Sequence, residues 1–456
     1  MKRILWFRRD LRISDNPLLS FEGEVLPIFI FDTRILQQLA KDDRRVSYIF
    51  HQVMKLKTAL QTLGLDLKVF YGDPIAIFTM LDRKGFDEVV ASGDYDAYAK
   101  ERDMKVSMIL PFRFVNDTYI FQPEEILKDD GTPYLVFTPF YHKAKSLFTK
   151  AHLHTFTSVK QTLAQDDYEG ITQVQNTTIT QSPLILKSLG FDEVSCKIKP
   201  LAEKLHALKD KLQEYKKERD YPAIDGTSNL ALELRFGVLG IRELLRFLVE
   251  QKKQGVDTEP FFRQLIFRDF YAYVLYHFPH LAWENYKYPF NGIEDKEKFA
   301  LFCKGKTGFP IVDAGVRQLI QTGEMHNRIR MICASFFTKD LLLPWQWGEA
   351  FFAKHLLDFD AASNILSWQW SAGTGIDPQP YFRIFNPWLQ SKKFDKDAMY
   401  IKKWLPELVS LSPKEIHDEN FMFSHKIHHY PKPIVVHKEA SQKALAYFKH
   451  MIASGE

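Results

Sequence analysis

A chain of 456 residues is too long for one ordinary core and predicts two domains, or three. Its 45% hydrophobic and 26% charged content is the soluble globular mix, and a net charge of +4 confines any nucleic-acid role to a local basic patch. The start MKRILWFRRDLR lacks a signal-peptide apolar core, no apolar run is long enough to span a bilayer, and three scattered cysteines (Cys196, Cys303, Cys333) argue for a reducing cytoplasm and against a disulfide framework or a cysteine-bound metal.

In chain order, RILWF, EVLPIFIF, DLKVFY and DEVVAS read as buried strands of a parallel sheet, and FRFVND as a fifth. Between them RRVSYIFHQVMKLKTALQTLG and IAIFTMLDRKG have helical spacing. The alternation predicts a doubly wound α/β domain over residues 1–125. After the first strand the sequence is WFRRDLRISDNP, not a GxGxxG turn, which disfavours a dinucleotide-binding reading. Residues 126–199, with DDGTPYLVFTPF and the polar QVQNTTITQSP, read as a connector wrapping the surface. From 200 to 456 the pattern is helical and predicts an all-α domain. Aromatic residues reach 14%, which favours a site that handles planar rings or else a phenylalanine-rich core.

GKTG at Gly305–Gly308 resembles half a phosphate loop, but Ala300 stands where the full pattern needs glycine, and no strand precedes it. His425, His428 and His429 have a spacing that a helix could turn toward a metal, with no carboxylate or thiolate partner in the motif, and no metal is expected. GTSNLA at Gly226–Ala231 offers backbone N–H groups and two hydroxyls where a helix should begin. A phosphate would suit those donors, and so would a plain N-cap by Thr227 or Ser228.

Several long motifs occur in order: WFRRDLRISDNP, YKKERDYPAIDGTSNLALELRFG, GKTGFPIVDAGVRQL, MHNRIRMICASFFTKDLLLPW, DFDAASNILSWQW and TGIDPQPYFRIFNP. Together they resemble the DNA photolyase and cryptochrome family over essentially the whole chain. The resemblance implies an α/β antenna domain, a linker and a helical domain that holds FAD. It also implies that light drives an electron from reduced flavin into a pyrimidine dimer in DNA.

Carried over residue by residue, the likeness places the cofactor on Tyr215, Thr227, Ser228, Asn229, Leu230, Ala231, Phe261, Arg330, Asp358, Phe359, Asp360 and Asn364. Ala231 stands where the family usually has serine, and Phe261 where it has tryptophan. Asp358 would pair with Arg330, Asp360 would meet a polar edge of the cofactor, and Asn364 would face flavin N5. Tyr215 and Arg219 would share one helical face. Trp368 and Trp345 match the inner members of an electron relay; each could otherwise be a core residue. The outermost tryptophan should fall near Tyr286–Ile293 and is absent, leaving Tyr286, Tyr288 or Trp347.

The likeness places DNA on Gln264, Phe267, Arg268, Asn327, Arg328, Met331, Trp370, Arg383 and Gln390, with Lys392 and Lys393 on phosphates or else in an ordinary charged turn. Asn327 and Met331 stand where repairers of the (6-4) lesion have histidines, which points to cyclobutane dimers. Gln264 and Phe267 replace the usual Glu and Trp, so weaker binding or slower repair is expected. In DYDAYAKERD the folate-binding Asn-Glu pair is replaced by Tyr98 and Ala99, so an antenna chromophore, if present, would be a deazaflavin or FMN in preference to folate.

The reading is a light-dependent cyclobutane pyrimidine dimer photolyase, monomeric and cytoplasmic, acting on ultraviolet-damaged DNA with no membrane partner. Its rivals are a cryptochrome that signals without repair, repair of another photoproduct, and a flavin oxidoreductase. The last helix, within PKPIVVHKEASQKALAYFKHM, leaves no long disordered tail of the kind receptors often carry and favours the enzyme.

Overall fold

The apolar runs form the strands expected of them. In the computed structural model, which describes residues 1–453, these are β1 (Lys2–Phe7), β2 (Gly23–Asp32), β3 (Lys68–Gly72), β4 (Glu88–Ser92) and β5 (Phe112–Val115). They pair in parallel in the order β5–β4–β1–β2–β3. The chain thus builds outward from β1 on one side and then on the other, which is the doubly wound arrangement. Most of β1, β2 and β4 is buried, which is why these strands read as continuous apolar runs and not as alternating ones. The helices Arg44–Gln61, Pro74–Asp82 and Ala97–Ser107 start behind Asp43, Asp73 and Asp96, and each carboxylate accepts a first-turn N–H.

The expected connector is not only a connector. It supplies β6 (Gln161–Leu163), β7 (Ile171–Gln175) and β8 (Thr178–Ser182). β6 pairs with the start of β2, β7 continues the parallel order beside β3, and β8 returns antiparallel to β7. The polar sequence of β8 suits the outer edge that it forms, where it is mostly exposed.

Two compact units result, with boundaries other than those expected. The first gathers Met1–Tyr134, Thr138–Ala207 and Asn229–His277; the second gathers Leu135–Phe137, Leu208–Ser228 and the described residues from Phe278 onward. Two helices of the presumed all-α domain, Ile241–Lys253 and Glu259–His277, therefore belong with the sheet. Buried polar bonds explain this. Asp269 accepts the N–H groups of Ile120 and Phe121 at 2.8 and 3.0 Å. Asp117 takes Arg12 at 2.6 Å and Arg242 at 2.5 Å.

The described elements of the second unit are helical. Phe302, Phe309, Phe336, Phe337, Trp345 and Trp368 are its largest fully buried rings. The Gly305–Gly308 turn has a structural purpose. Asp313 accepts from Thr307 N at 2.8 Å, Thr307 Oγ1 at 2.7 Å and Gly308 N at 2.9 Å, so these donors serve a carboxylate of the same chain. Gly308 has φ +78°, and a Cβ there would lie 2.4 Å from the Lys432 backbone. No helix among the described residues is long and apolar enough to cross a membrane.

Burial by itself would raise the Asp117 carboxyl, but Arg12 and Arg242 outweigh it and hold it below the usual carboxylate range. Its contribution to stability is therefore present above the unfolded value and lost as pH falls through the folded one. Asp117→Asn should destabilise the protein by about 3 kcal/mol in urea unfolding at pH 7, and the deficit should narrow on acidification.

Candidate functional site

The helix Ala361–Ala372 starts at Asp360, whose Oδ1 accepts Ser363 N at 3.1 Å, and ends at Gly373 with φ +87°. Three of its side chains matter. Trp368 is 2% exposed and meets Phe352 and Phe337 edge-on, with centroids 4.9 and 5.4 Å away. Trp370, two positions on, points to another side of the helix and is only half-buried. Asn364 lies one turn before Trp368 on the same face.

The partner helix Trp345–His355 makes room for this arrangement. A Cβ on Gly348 would fall 2.2 Å from Cη2 of Trp368, so the indole lies against bare backbone. Glu349, the next residue, fixes Asn364: Nδ2 donates to its Oε1 at 2.8 Å and its backbone O at 3.1 Å. Both amide protons are engaged, and among the described residues Oδ1 accepts no hydrogen bond. Burial raises the Glu349 carboxyl, partly offset by the Asn364 bond. Trp345 lies one turn before Gly348 and donates from Nε1 to Asn285 Oδ1 at 2.8 Å.

Arg330 is held from two directions. Its Nη2 meets both oxygens of Asp358 at 3.0 and 2.8 Å, and Nε donates to Met325 O at 2.8 Å. Tyr215 is buried, with Arg219 5.8 Å over its ring. Lys211 ties down the segment that follows, through Asp225 at 2.7 Å and the Thr227 carbonyl at 3.0 Å. Gly226 is obligatory there, since a Cβ would sit 2.7 Å from that of Glu218. Neither Thr227 nor Ser228 is the cap of the next helix, Ala231–Arg235; Leu230 occupies that position, and Asn229 has φ +55°.

A cleft of about 430 Å³ lies in the second unit. Its walls are Lys217, Asp220 and Tyr221, Arg328 from the helix Asn327–Ser335, Arg383 and Phe385 from the loop after Gly373, and Gln390, Lys393 and Phe394 from the helix Pro387–Phe394. Arg328 stacks 4.3 Å over the Phe394 ring and pairs with Asp220 at 3.0 Å. Among the described residues its Nε and Gln390 Oε1 are buried without a hydrogen-bond partner. His326 caps the Arg328 helix through Nδ1, and burial lowers its pKa to about 4, so it is a neutral acceptor.

Asn327 and Met331 stand one turn apart, Nδ2 to Sδ 3.7 Å. Gln264, Phe267 and Phe261 are on the helix Glu259–His277 of the first unit. Arg268 on that helix is turned inward: its guanidinium donates to the Thr118 and Leu234 carbonyls at 2.7 and 3.3 Å and covers Tyr119 at 4.5 Å, an arrangement that serves packing and gives a phosphate contact no support. Phe359 lies between Asp358 and Asp360. In the tail, His425 stacks on Phe421 and the rings of His428 and His429 adjoin each other. Sequence reasoning missed Asp220, Tyr221, Gly348, Glu349, Phe385 and Phe394. Only Phe394 had a local signal, as the aromatic end of the basic SKKFD run.

Residues 261–450 match the family model described as the FAD binding domain of DNA photolyase, and residues 3–160 that described as DNA photolyase. The deoxyribodipyrimidine photo-lyase of Alkalihalophilus pseudofirmus is 34% identical, with 98% of each chain covered. A class III photolyase from Agrobacterium tumefaciens superposes with a TM-score of 0.85 at 30% identity, covering 99% of this chain and 98% of that one. An archaeal photolyase from Sulfolobus tokodaii, solved with two FAD molecules, superposes at 0.84 with 28% identity, covering 99% and 100%.

Gly348→Ala tests the seam directly. The added methyl forces Trp368 out of its rotamer, and thermal unfolding should show a loss of about 1–3 kcal/mol together with a changed tryptophan emission.

Proposed function

The chain belongs to the DNA photolyase family, and from that premise we propose that it splits cyclobutane pyrimidine dimers in damaged DNA under light, with FAD as its cofactor. One observation carries the reading: a single helix presents the Asn364 amide and the buried Trp368 indole on one face, with Glu349 and Gly348 of the next helix setting both.

The second unit's residues fit FAD on their chemistry. Asn364 Oδ1 is a fixed acceptor without a partner among the described residues, Tyr215 is a buried ring, and Arg330 is a cation held by Asp358. Tyr215, Thr227, Ser228, Arg330, Asp358, Phe359, Asp360 and Asn364 would hold it. When bound, FAD supplies the light-absorbing electron donor. The protein's contribution is to orient and to select. Because Glu349 engages both Nδ2 protons, Asn364 can offer only an acceptor, which favours a protonated flavin nitrogen. Arg330, held by Asp358, would offer positive charge to a bound cofactor that carries negative charge. Trp368 and Trp345, on two packed helices, would serve electron supply from outside. Trp347, whose ring meets Phe299 at 5.2 Å, is the proposed outer member.

The cleft supplies the DNA contacts. Four cations, Lys217, Arg328, Arg383 and Lys393, suit the backbone phosphates around a flipped dimer, and extruding that dimer costs a few kcal/mol, less at a distorted site. Asn327 and Met331 adjoin Arg328 on its helix and would meet the lesion, with Trp370 on the half-buried side of its own helix.

A second chromophore of flavin type is proposed at the crossover between β1 and β4, where ligands of doubly wound sheets bind. Burial pushes Asp94 up there, but Arg9, Arg235, Arg8 and Arg102 outweigh it and hold the carboxyl down to about 2. Arg8 Nε is buried without a hydrogen-bond partner among the described residues. This cationic cluster suits a phosphate-bearing chromophore, as does the likeness to a photolyase with two FAD molecules.

The test is a dimer-containing oligonucleotide incubated with purified protein under blue light and in darkness. Repair only in light is expected, with a flavin spectrum; a flavin-loaded protein without repair would turn the reading to a receptor, and flavin near one per chain would exclude the second site. Arg328→Ala should weaken binding similarly across sequences and reduce the slope of log affinity against log salt by about 1.

A further inference from the structure

The helix Asn327–Ser335 ends in a π-turn over Phe336–Asp340, and that turn buries a lysine completely. Lys339 Nζ donates to the Tyr381 carbonyl at 3.0 Å and lies 5.2 Å over the Phe448 ring of the last helix, His437–Ala453. Among the described residues no carboxylate comes within salt-bridge distance of it. Tyr381 immediately precedes Phe382, which is 64% exposed, and Arg383, which lines the cationic cleft. A second and weaker tie from the same helix lies beyond them, where Phe385 N donates to Ser335 Oγ at 3.4 Å. The DNA-facing loop is thus hung at both sides of Phe382 and Arg383 from one helix and its π-turn, and π-turns are frequent at functional positions.

We propose that Lys339 is a positioning residue for damaged-DNA binding, its ammonium holding the Phe382–Arg383 loop through the Tyr381 carbonyl. The proposal rests on the DNA-repair reading above. Burying a cation without an anion is unfavourable, so a residue present only for packing at this place should be apolar. A methionine would fill the same volume and meet Phe448 and Tyr381 equally well. What it lacks is the donor to the loop.

Asp340 and Tyr447, on the elements that carry Lys339 and Phe448, each have a partner other than Lys339. Asp340 on the same turn bonds His437 at 2.5 Å, burial having raised its carboxyl to about 6. Tyr447 on the last helix accepts Gly292 N at 3.1 Å. Burial lowers the Lys339 pKa to about 7. A folded value below the ordinary lysine value means that the charge opposes folding: fully below the folded pKa, and progressively less as pH rises toward the unfolded one.

The experiment uses the full-length, flavin-loaded protein and Lys339→Met. The variant should melt higher than wild type at pH 6, with the gap closing toward pH 10, and should keep its flavin. In darkness it should bind a dimer-containing oligonucleotide about tenfold more weakly, the effect of one lost charge-assisted hydrogen bond. Lys339→Gln, which keeps a donor, should recover part of that loss and shows the effect even if the methionine variant fails to fold. Equal binding by wild type and by every variant that folds would sink the proposal. Wild type that does not bind the damaged strand would instead take down the repair reading and this inference with it.

Discussion

A missing side chain organises the second unit. Because Gly348 has no Cβ, the Trp368 indole can lie on the backbone of the helix Trp345–His355. Close packing of this kind leaves no slack, so it sets the register of that helix against Ala361–Ala372. In that register Glu349 reaches Asn364, and Trp345 comes onto the same seam one turn away. Three features read separately in the sequence are consequences of one steric fact.

The charges in the second unit are arranged by a different rule. Arg330 and Arg328 stand on one helix, two residues apart, yet each is held by its own carboxylate, Asp358 and Asp220. A guanidinium fixed in this way loses little side-chain entropy when an anion arrives. Arg328 is steadied further by the Phe394 face. The carboxylates limit the field as well as orienting it, which is why a chain with a net charge of only +4 can present a concentrated cationic cleft.

Much of the fold was legible because burial leaves a one-dimensional trace. Strands covered on both faces read as RILWF or EVLPIFIF, and an aspartate opens the helices Arg44–Gln61, Pro74–Asp82 and Ala97–Ser107. The trace fails at edges. TITQS is polar because it forms the exposed outer edge, and the short ITQVQ beside it carries too few apolar residues to stand out from a connector, yet the two extend the sheet beyond β3. It fails also where a buried bond between distant residues decides membership. Nothing near Asp269 or Arg242 announces that their helices belong with the sheet.

By itself the sequence determined the order of strands and helices, the family likeness, and the residue types at the candidate site, since periodicity and long ordered motifs are properties of the chain. Only the tertiary structure decided which polar atoms remain available. It turned Arg268 inward to backbone carbonyls, directed the Gly305–Gly308 donors to Asp313, left Asn364 with an acceptor to offer, and buried Lys339 behind Tyr381. The reason is that a hydrogen bond forms within about 3 Å in space whatever the separation along the chain. The chemistry a side chain has left to offer is what its folded neighbours have not already taken.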